Sequence, residues 1–170
     1  MAKIPFDEDF AAPSDYAALY RRLRLQVVPS LPPSNTGQWK RPAIKWREHE
    51  NDLTSQEVFD QWFGLEGEYR TRQNMGLITG RASDNVFVLD LDTHKNPQAN
   101  KWLQLLLDQW NDGIPLKSPT QRTGGGGVQI LFRAPEGWTP PTIKTSIGVD
   151  IRGQGGFAVL PPSMHESGVN

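Results

Sequence analysis

The chain has 170 residues, no cysteine and a formal net charge of -1, which fits one domain large enough to bury a core. The charge balance excludes a uniformly basic nucleic-acid binder, though not a local basic groove, and the missing cysteines exclude disulfides and thiolate zinc sites. No apolar run reaches bilayer length and the first residues lack a signal-peptide core, so the expectation is a cytoplasmic protein.

Ser14 is placed to cap a helix over roughly Asp15 to Leu25, with Tyr16, Leu19 and Leu23 as its buried stripe. Gln26-Val27-Val28 reads as extended, followed by a Pro-rich loop to Gly37. Thr54 and Glu57 form a capping-box pattern for a second helix to about Phe63. Basic residues cluster at Arg21, Arg22 and Arg24, at Lys40, Arg41, Lys45 and Arg47, and at Arg70 and Arg72. Each cluster fits a solvated face as well as a contact with an acidic partner.

Met75 to Thr79 reads as a strand ending at Gly80. The next strand, Val86 to Asp92, carries the most informative pattern, an apolar and β-branched run ending in Asp90-Leu91-Asp92. Strand alternation puts Asp90 and Asp92 on one face, roughly 7 Å apart along the backbone. Carboxylates at the end of an apolar strand call for a compensating cation, and an oxygen-preferring Mg²⁺ or Mn²⁺ suits them. A strand that leaves the core into a solvated acidic loop explains the same residues.

Asn96 and Pro97 open a long helix to about Trp110, whose Trp and Leu content predicts that it is well buried. The remainder is β-rich: Gly127 to Arg133, Ile147 to Arg152 and Phe157 to Leu160 read as strands between Gly and Pro punctuation. The expected class is α+β, a mixed, largely antiparallel sheet with flanking helices and not a doubly wound nucleotide fold.

Asp150 and Arg152 share a strand face, which suits either an internal ion pair or a metal carboxylate beside a phosphate-binding guanidinium. The run Gly124 to Gly127 lets a backbone approach a ligand or simply turn a hairpin. Gln129 is a polar side chain next to glycine on its strand face, suited to a cross-sheet hydrogen bond or to a ligand. Ser163 and His165 sit at the exit of the last strand. Lys45, beside Trp46, fits a surface lysine or a phosphate contact.

The order of these segments is distinctive. Leu77-Ile78-Thr79-Gly80, then hydrophobic-Asp-x-Asp, a glycine-rich strand, Val149-Asp150-Ile151-Arg152-Gly153-x-Gly-Gly-Phe and Pro-Pro-Ser163-x-His165-x-x-Gly resemble the primase-polymerase (prim-pol) domain of the archaeo-eukaryotic primase superfamily. The early segment Lys40 to Trp46 is similar to the family's Lys/Pro/Trp stretch, and the resemblance runs from about residue 15 to the C-terminus. It implies an RRM-like core and template-directed nucleotidyl transfer, making and extending primers in DNA replication. It also implies metal binding by Asp90, Asp92 and Asp150 with Mg²⁺ or Mn²⁺. Nucleotide contacts are implied at Thr79, Gly80, Gly126, Gly127, Gln129, Arg152, Ser163 and His165, with Lys45 as a further contact.

The implied partners are a single-stranded DNA template, a primer and dNTP or NTP. A longer parent protein with a helicase-like region downstream is implied as well. The family's usual histidine in the glycine-rich strand is Gln129 here, which can donate a hydrogen bond but supplies no imidazolium charge. A catalytically weak nucleic-acid-binding module on the same fold, or a phosphoesterase, is the alternative.

Overall fold

A computed structural model describes residues 12–33, 40–71, 74–111 and 118–165. Arg72, the end of the Pro-rich loop and the last glycine of the C-terminal motif, Gly168, lie outside the described residues. Among the described residues, three α-helices accompany seven strands: α1 (Pro13–Arg22), β1 (Gln26–Pro29), α2 (Gln56–Phe63), β2 (Met75–Ile78), β3 (Val86–Leu91) and α3 (Pro97–Asn111), then β4 (Thr120–Arg122), β5 (Val128–Arg133), β6 (Val149–Arg152) and β7 (Phe157–Leu160). The α+β class and the antiparallel pairing stand. The strands divide into two sheets, ordered β1-β2-β7 and β4-β5-β3-β6, and every ladder among the described strands is antiparallel.

The helix boundaries differ from expectation at both capping sites. Helix α1 starts at Pro13, so Ser14 lies inside it, and the Asp15 carboxylate accepts from the Ala12 N–H at 3.0 Å. A first-turn proline has no N–H to satisfy, which moves the start ahead of Ser14. Its buried side chains are Ala17 and Tyr20; Tyr16 packs partly on the core and Leu23 is exposed. In α2 the cap is Ser55, whose Oγ accepts from the Val58 N–H. Thr54 is drawn inward instead, donating its N–H to the Gln26 side chain at 2.9 Å and offering its carbonyl to Arg21 at 2.8 Å. Arg21 also lies over the Phe59 ring, so part of the first basic cluster is committed to joining α1 and α2.

Helix α3 begins as its sequence suggests, with the Asn96 side chain accepting from the Gln98 N–H. It is not well buried. Ala99 is buried in its first turn, whereas Trp102, Leu105 and Leu107 are 48%, 53% and 39% exposed. Consecutive leucines at 105, 106 and 107 cannot share one helix face at 100° per residue, and the helix meets the sheet through β3. Strand β4 lacks the apolar pattern of the others, and its polar Thr-Gln-Arg sequence hid it.

The core lies between the two sheets and under α1 and α2. It contains Val27, Val28, Leu77, Ile78, Ala158 and Leu160 from the three-stranded sheet, Val86 and Val88 from β3, and Phe59, Trp62 and Phe63 from α2. At the corner where β2 leaves for β3, Gly80 has φ +97°. A Cβ there would stand 2.8 Å from the Gln154 Cα, so any other residue would be both strained and obstructed. Thr79, fully buried, donates its hydroxyl to the Gly153 carbonyl at 2.5 Å. The Thr79-Gly80 pair and the Gly153 to Gly156 run thus pack against each other.

Two side chains secure the chain beyond β7. The Ser163 hydroxyl accepts from the Met75 N–H and donates to the Met75 carbonyl, both at 2.9 Å. The Tyr20 hydroxyl donates to the Pro161 carbonyl at 3.0 Å. Burial, with Tyr16 nearby as a smaller cause, pushes the Tyr20 hydroxyl pKa well above the usual tyrosine range.

Ser163→Ala removes two buried hydrogen bonds to the Met75 backbone, and a loss of about 2 kcal/mol in urea-measured stability is expected. For Tyr20 the folded pKa exceeds the unfolded one, so the unfolded state loses its proton first. Its stabilising effect is complete below about pH 10 and declines as pH rises beyond that. Tyr20→Phe should cost about 1 kcal/mol near neutrality and flatten the alkaline decline of the urea midpoint.

Candidate active site

The face of β3 that carries Val86 and Val88 into the core carries Asp90 two residues further on. Directly opposed residues on antiparallel strands share a face. Asp90 pairs with Asp150 on β6 and with Gln129 on β5, and Gln129 pairs with Gln121 on β4. One polar row, Asp150-Asp90-Gln129-Gln121, therefore crosses the whole four-stranded sheet.

The row is hydrogen-bonded throughout its central part. Arg152, opposite Val88 on β6, donates from Nη2 to Asp90 Oδ2 at 2.9 Å and to Asp150 Oδ2 at 3.3 Å. Gln129 donates from Nε2 to Asp90 Oδ1 at 3.2 Å. Gln121 Nε2 donates to Gln129 Oε1 at 2.6 Å and to the Val159 carbonyl of β7 at 2.8 Å. The second Asp150 oxygen accepts from the Thr145 N–H at 2.8 Å. The carboxylates are only 21% and 13% exposed, so these donors offset a substantial desolvation cost.

Three members of this row, Asp90, Gln129 and Gln121, floor one part of a cleft of about 370 Å³, while Asp150 stands beside Asp90 outside the lining. Asp90, Asp92, Gln129, Arg152, Ser163 and His165 line it, together with Lys40, Lys95, Gln121, Arg122, Thr123 and Gly124. Asp92 follows the end of β3, exposed, with its N–H bonded to the Gly148 carbonyl at 2.8 Å. His165 lies against the glycine turn, where a Cβ on Gly124 would come within 2.2 Å of the His165 Cβ. Absence of a side chain at Gly124 is what admits the histidine.

Several expected contacts lie elsewhere. Thr79 and Gly80 form the sheet-to-sheet corner, Gly126 and Gly127 close the β4–β5 turn through the Thr123 carbonyl and hydroxyl, and Lys45 is exposed outside the cleft lining. Ser163 reaches the cleft while its hydroxyl is engaged by Met75. Lys40, Lys95, Gln121 and Arg122 join the site only in the folded chain. Lys40 belonged to a basic cluster, but nothing in the sequence distinguished it from Lys45, and Gln121 sits on the strand that escaped recognition.

The donor chemistry fits a hard divalent cation. The carboxylate oxygens of Asp90, Asp92 and Asp150 are the donor type that such an ion prefers. Among the described residues no three His, Asp or Glu side chains converge on one ion-sized position, and Arg152 holds Asp90 and Asp150 together in this conformation. The cleft lining as a whole carries Lys40, Lys95, Arg122 and Arg152 against Asp90 and Asp92, a surplus of cations suited to a polyphosphate or nucleic-acid backbone.

No curated protein and no solved structure matches the chain. A family model does, over residues 17–170, and it describes the N-terminal domain of bifunctional DNA primase/polymerases. With the match covering nearly the whole chain, the protein belongs to the Prim-Pol family and is a DNA primase/polymerase domain.

Proposed function

We propose that the domain is a template-directed nucleotidyltransferase that makes and extends primers from nucleoside triphosphates during DNA replication. The observation that carries this reading is the pairing of Asp150 with Asp90, which lines a cleft that also exposes Asp92 and four cationic side chains. Two acidic groups from different strands brought side by side, one of them lining a cationic cleft, suit phosphoryl transfer better than either an isolated ion pair or an acidic surface loop.

In the proposed reaction the primer 3′-oxygen attacks the α-phosphorus, its proton leaves, and the bond to pyrophosphate breaks. Asp90, Asp92 and Asp150 would hold Mg²⁺ or Mn²⁺, which when bound supplies Lewis-acid neutralisation of phosphate oxygens and a more acidic attacking hydroxyl. Lys40, Lys95 and Arg122 line the cleft and would bind the triphosphate and the departing pyrophosphate. Arg152, already bound to both carboxylates, places a fixed positive charge beside the reacting phosphate, where its planar fork suits two oxygens. His165, packed on the Gly124 turn, narrows the cleft on the side of β4. Holding the reactants in line within this wall and neutralising charge provide most of the rate in such a reaction.

Gln129 bears on how strong that activity is. It retains hydrogen-bond donation to Asp90 without imidazolium charge, so positive charge at this point comes from Arg152. The associated partners are a single-stranded DNA template, a primer strand and dNTP or NTP, with a helicase-like region in the parent protein.

Asp90→Asn and Asp92→Asn should each lower divalent-dependent dNTP incorporation by at least 100-fold in a primer-extension assay, with the urea midpoint still showing a folded protein. Primer extension at the wild-type rate by either variant removes the metal assignment. DNA binding without incorporation by the wild-type protein, in both Mg²⁺ and Mn²⁺, would select the binding-module reading. Arg152→Met should cost about 2 kcal/mol of stability, since it removes bonds to charged groups, and should weaken dNTP binding measured by fluorescence titration.

A further inference from the structure

Gln121 has no chemistry of its own at the reacting centre, yet its amide controls a group that does. Its Nε2 faces a backbone carbonyl, Val159 O, at 2.8 Å. A carbonyl only accepts, so that contact fixes which end of the Gln121 amide points there. The same Nε2 lies 2.6 Å from Gln129 Oε1, which therefore must be the acceptor end of the Gln129 amide. The opposite end of that amide, its NH₂, is then left facing Asp90 Oδ1 at 3.2 Å. Donor direction is thus transmitted from the backbone of β7, through two side-chain amides, to a carboxylate on β3.

We propose that Gln121 is a positioning residue that locks Gln129 with its NH₂ group toward Asp90, and so orients the Asp90 carboxylate for a divalent cation. The proposal rests on the reading of Asp90 as a metal-binding carboxylate. The lock matters because an inverted Gln129 would set a carbonyl oxygen against Asp90 Oδ1. Asp90 would then be held from the Arg152 side alone, through Oδ2. The register of β4 on β5 makes the arrangement possible, since Gln121 and Gln129 are directly opposed. Gln129 is itself 8% exposed, so water does not readily replace a missing partner there.

The test combines a double-mutant cycle with a direct reading of the amides. Mn²⁺ is titrated calorimetrically into the wild-type chain, Gln121→Met, Gln129→Met and the double variant, and primer extension gives kcat and KM for dNTP. Methionine retains side-chain length and removes both donors. Gln121→Met should weaken Mn²⁺ binding about tenfold, the usual effect of losing an outer-shell orienting group. It should lower kcat while leaving the dNTP KM nearly unchanged, and should produce no further loss when Gln129 is already methionine.

Equal losses in both backgrounds would show that Gln121 only ties β4 to β7, and unchanged Mn²⁺ affinity in Gln121→Met would also overturn the proposal. Side-chain amide NMR of the wild-type protein decides the orientation without any variant. Cross-peaks from the Gln129 NH₂ protons to the Asp90 β-protons support the lock, and cross-peaks to the Gln121 γ-protons alone refute it. Should the wild-type chain take up no Mn²⁺, the metal-binding reading of Asp90 falls, and those cross-peaks still report whether Gln121 sets the direction of Gln129.

Discussion

A carboxylate placed two residues along a strand from fully buried valine has to be compensated from both sides, and Asp90 is. Val88, on the same face of β3, is 0% exposed, so Asp90 stands where the core gives way to the cleft. Charge at such a boundary is tolerated only with hydrogen-bonding partners of the right sign. Arg152 supplies them from β6 and Gln129 from β5. Both neighbouring strands must therefore be in register with β3. A slip of one residue would turn Leu89 and Leu91 into the cleft and drive Asp90 into the opposite face of the sheet. The same registry that packs Val86 and Val88 sets Asp150 beside Asp90, so hydrophobic packing and site assembly are enforced by one alignment.

The second requirement is that the two sheets keep a fixed separation across the cleft. Two contacts between the sheets and two that fasten the chain after β7 serve it, each between a side chain and backbone far away in sequence. Thr79 reaches Gly153, Ser163 reaches Met75, Tyr20 reaches Pro161 and Gln121 reaches Val159. Three of these involve β7 or the residues directly following it. The segment from Gly153 to Ser163 is thereby fastened to α1, β2 and β4 alike, and the wall it presents to the cleft is set by the fold rather than by a mobile loop. Glycines at 153 and 156 pack against the same corner, which explains why a glycine-rich stretch precedes β7 without contributing to the cleft lining itself.

Much of this was legible in the residues. The apolar run before Asp90, the alternation that joins Asp150 to Arg152, and the Gly and Pro punctuation of the last three strands are local signals, and β3, β5, β6 and β7 fall where those signals put them. The helix starts were less legible because two capping residues compete at each. Pro13 prevails over Ser14 in α1, and Thr54 is recruited by Gln26 and Arg21, leaving the cap to Ser55. The second of these is a tertiary decision with no local trace. Strand β4 was hidden for a related reason: Thr120, Gln121 and Arg122 have no alternation of polarity, and what makes them a strand is the edge of β5. The exposed leucines of α3 show the converse error, since apolar content alone does not establish burial unless it is confined to one face.

The cleft chemistry follows from which charges are fixed and which are free to vary with ligand. Gln121 and Gln129 are neutral amides, so the β5 side of Asp90 can donate hydrogen bonds but cannot change its charge with pH as a histidine would. Positive charge next to Asp90 and Asp150 is concentrated in Arg152. The remaining cations, Lys40, Lys95 and Arg122, belong to the cleft lining rather than to the polar row. Under the proposed chemistry the division of labour is spatial. The sheet interior fixes the direction of the carboxylates through uncharged donors and one guanidinium, while the outer wall carries the long side chains that follow a polyphosphate. Replacing a neutral donor in the row with a titratable one would couple the direction of Asp90 to pH, and the observed pair of amides avoids that coupling.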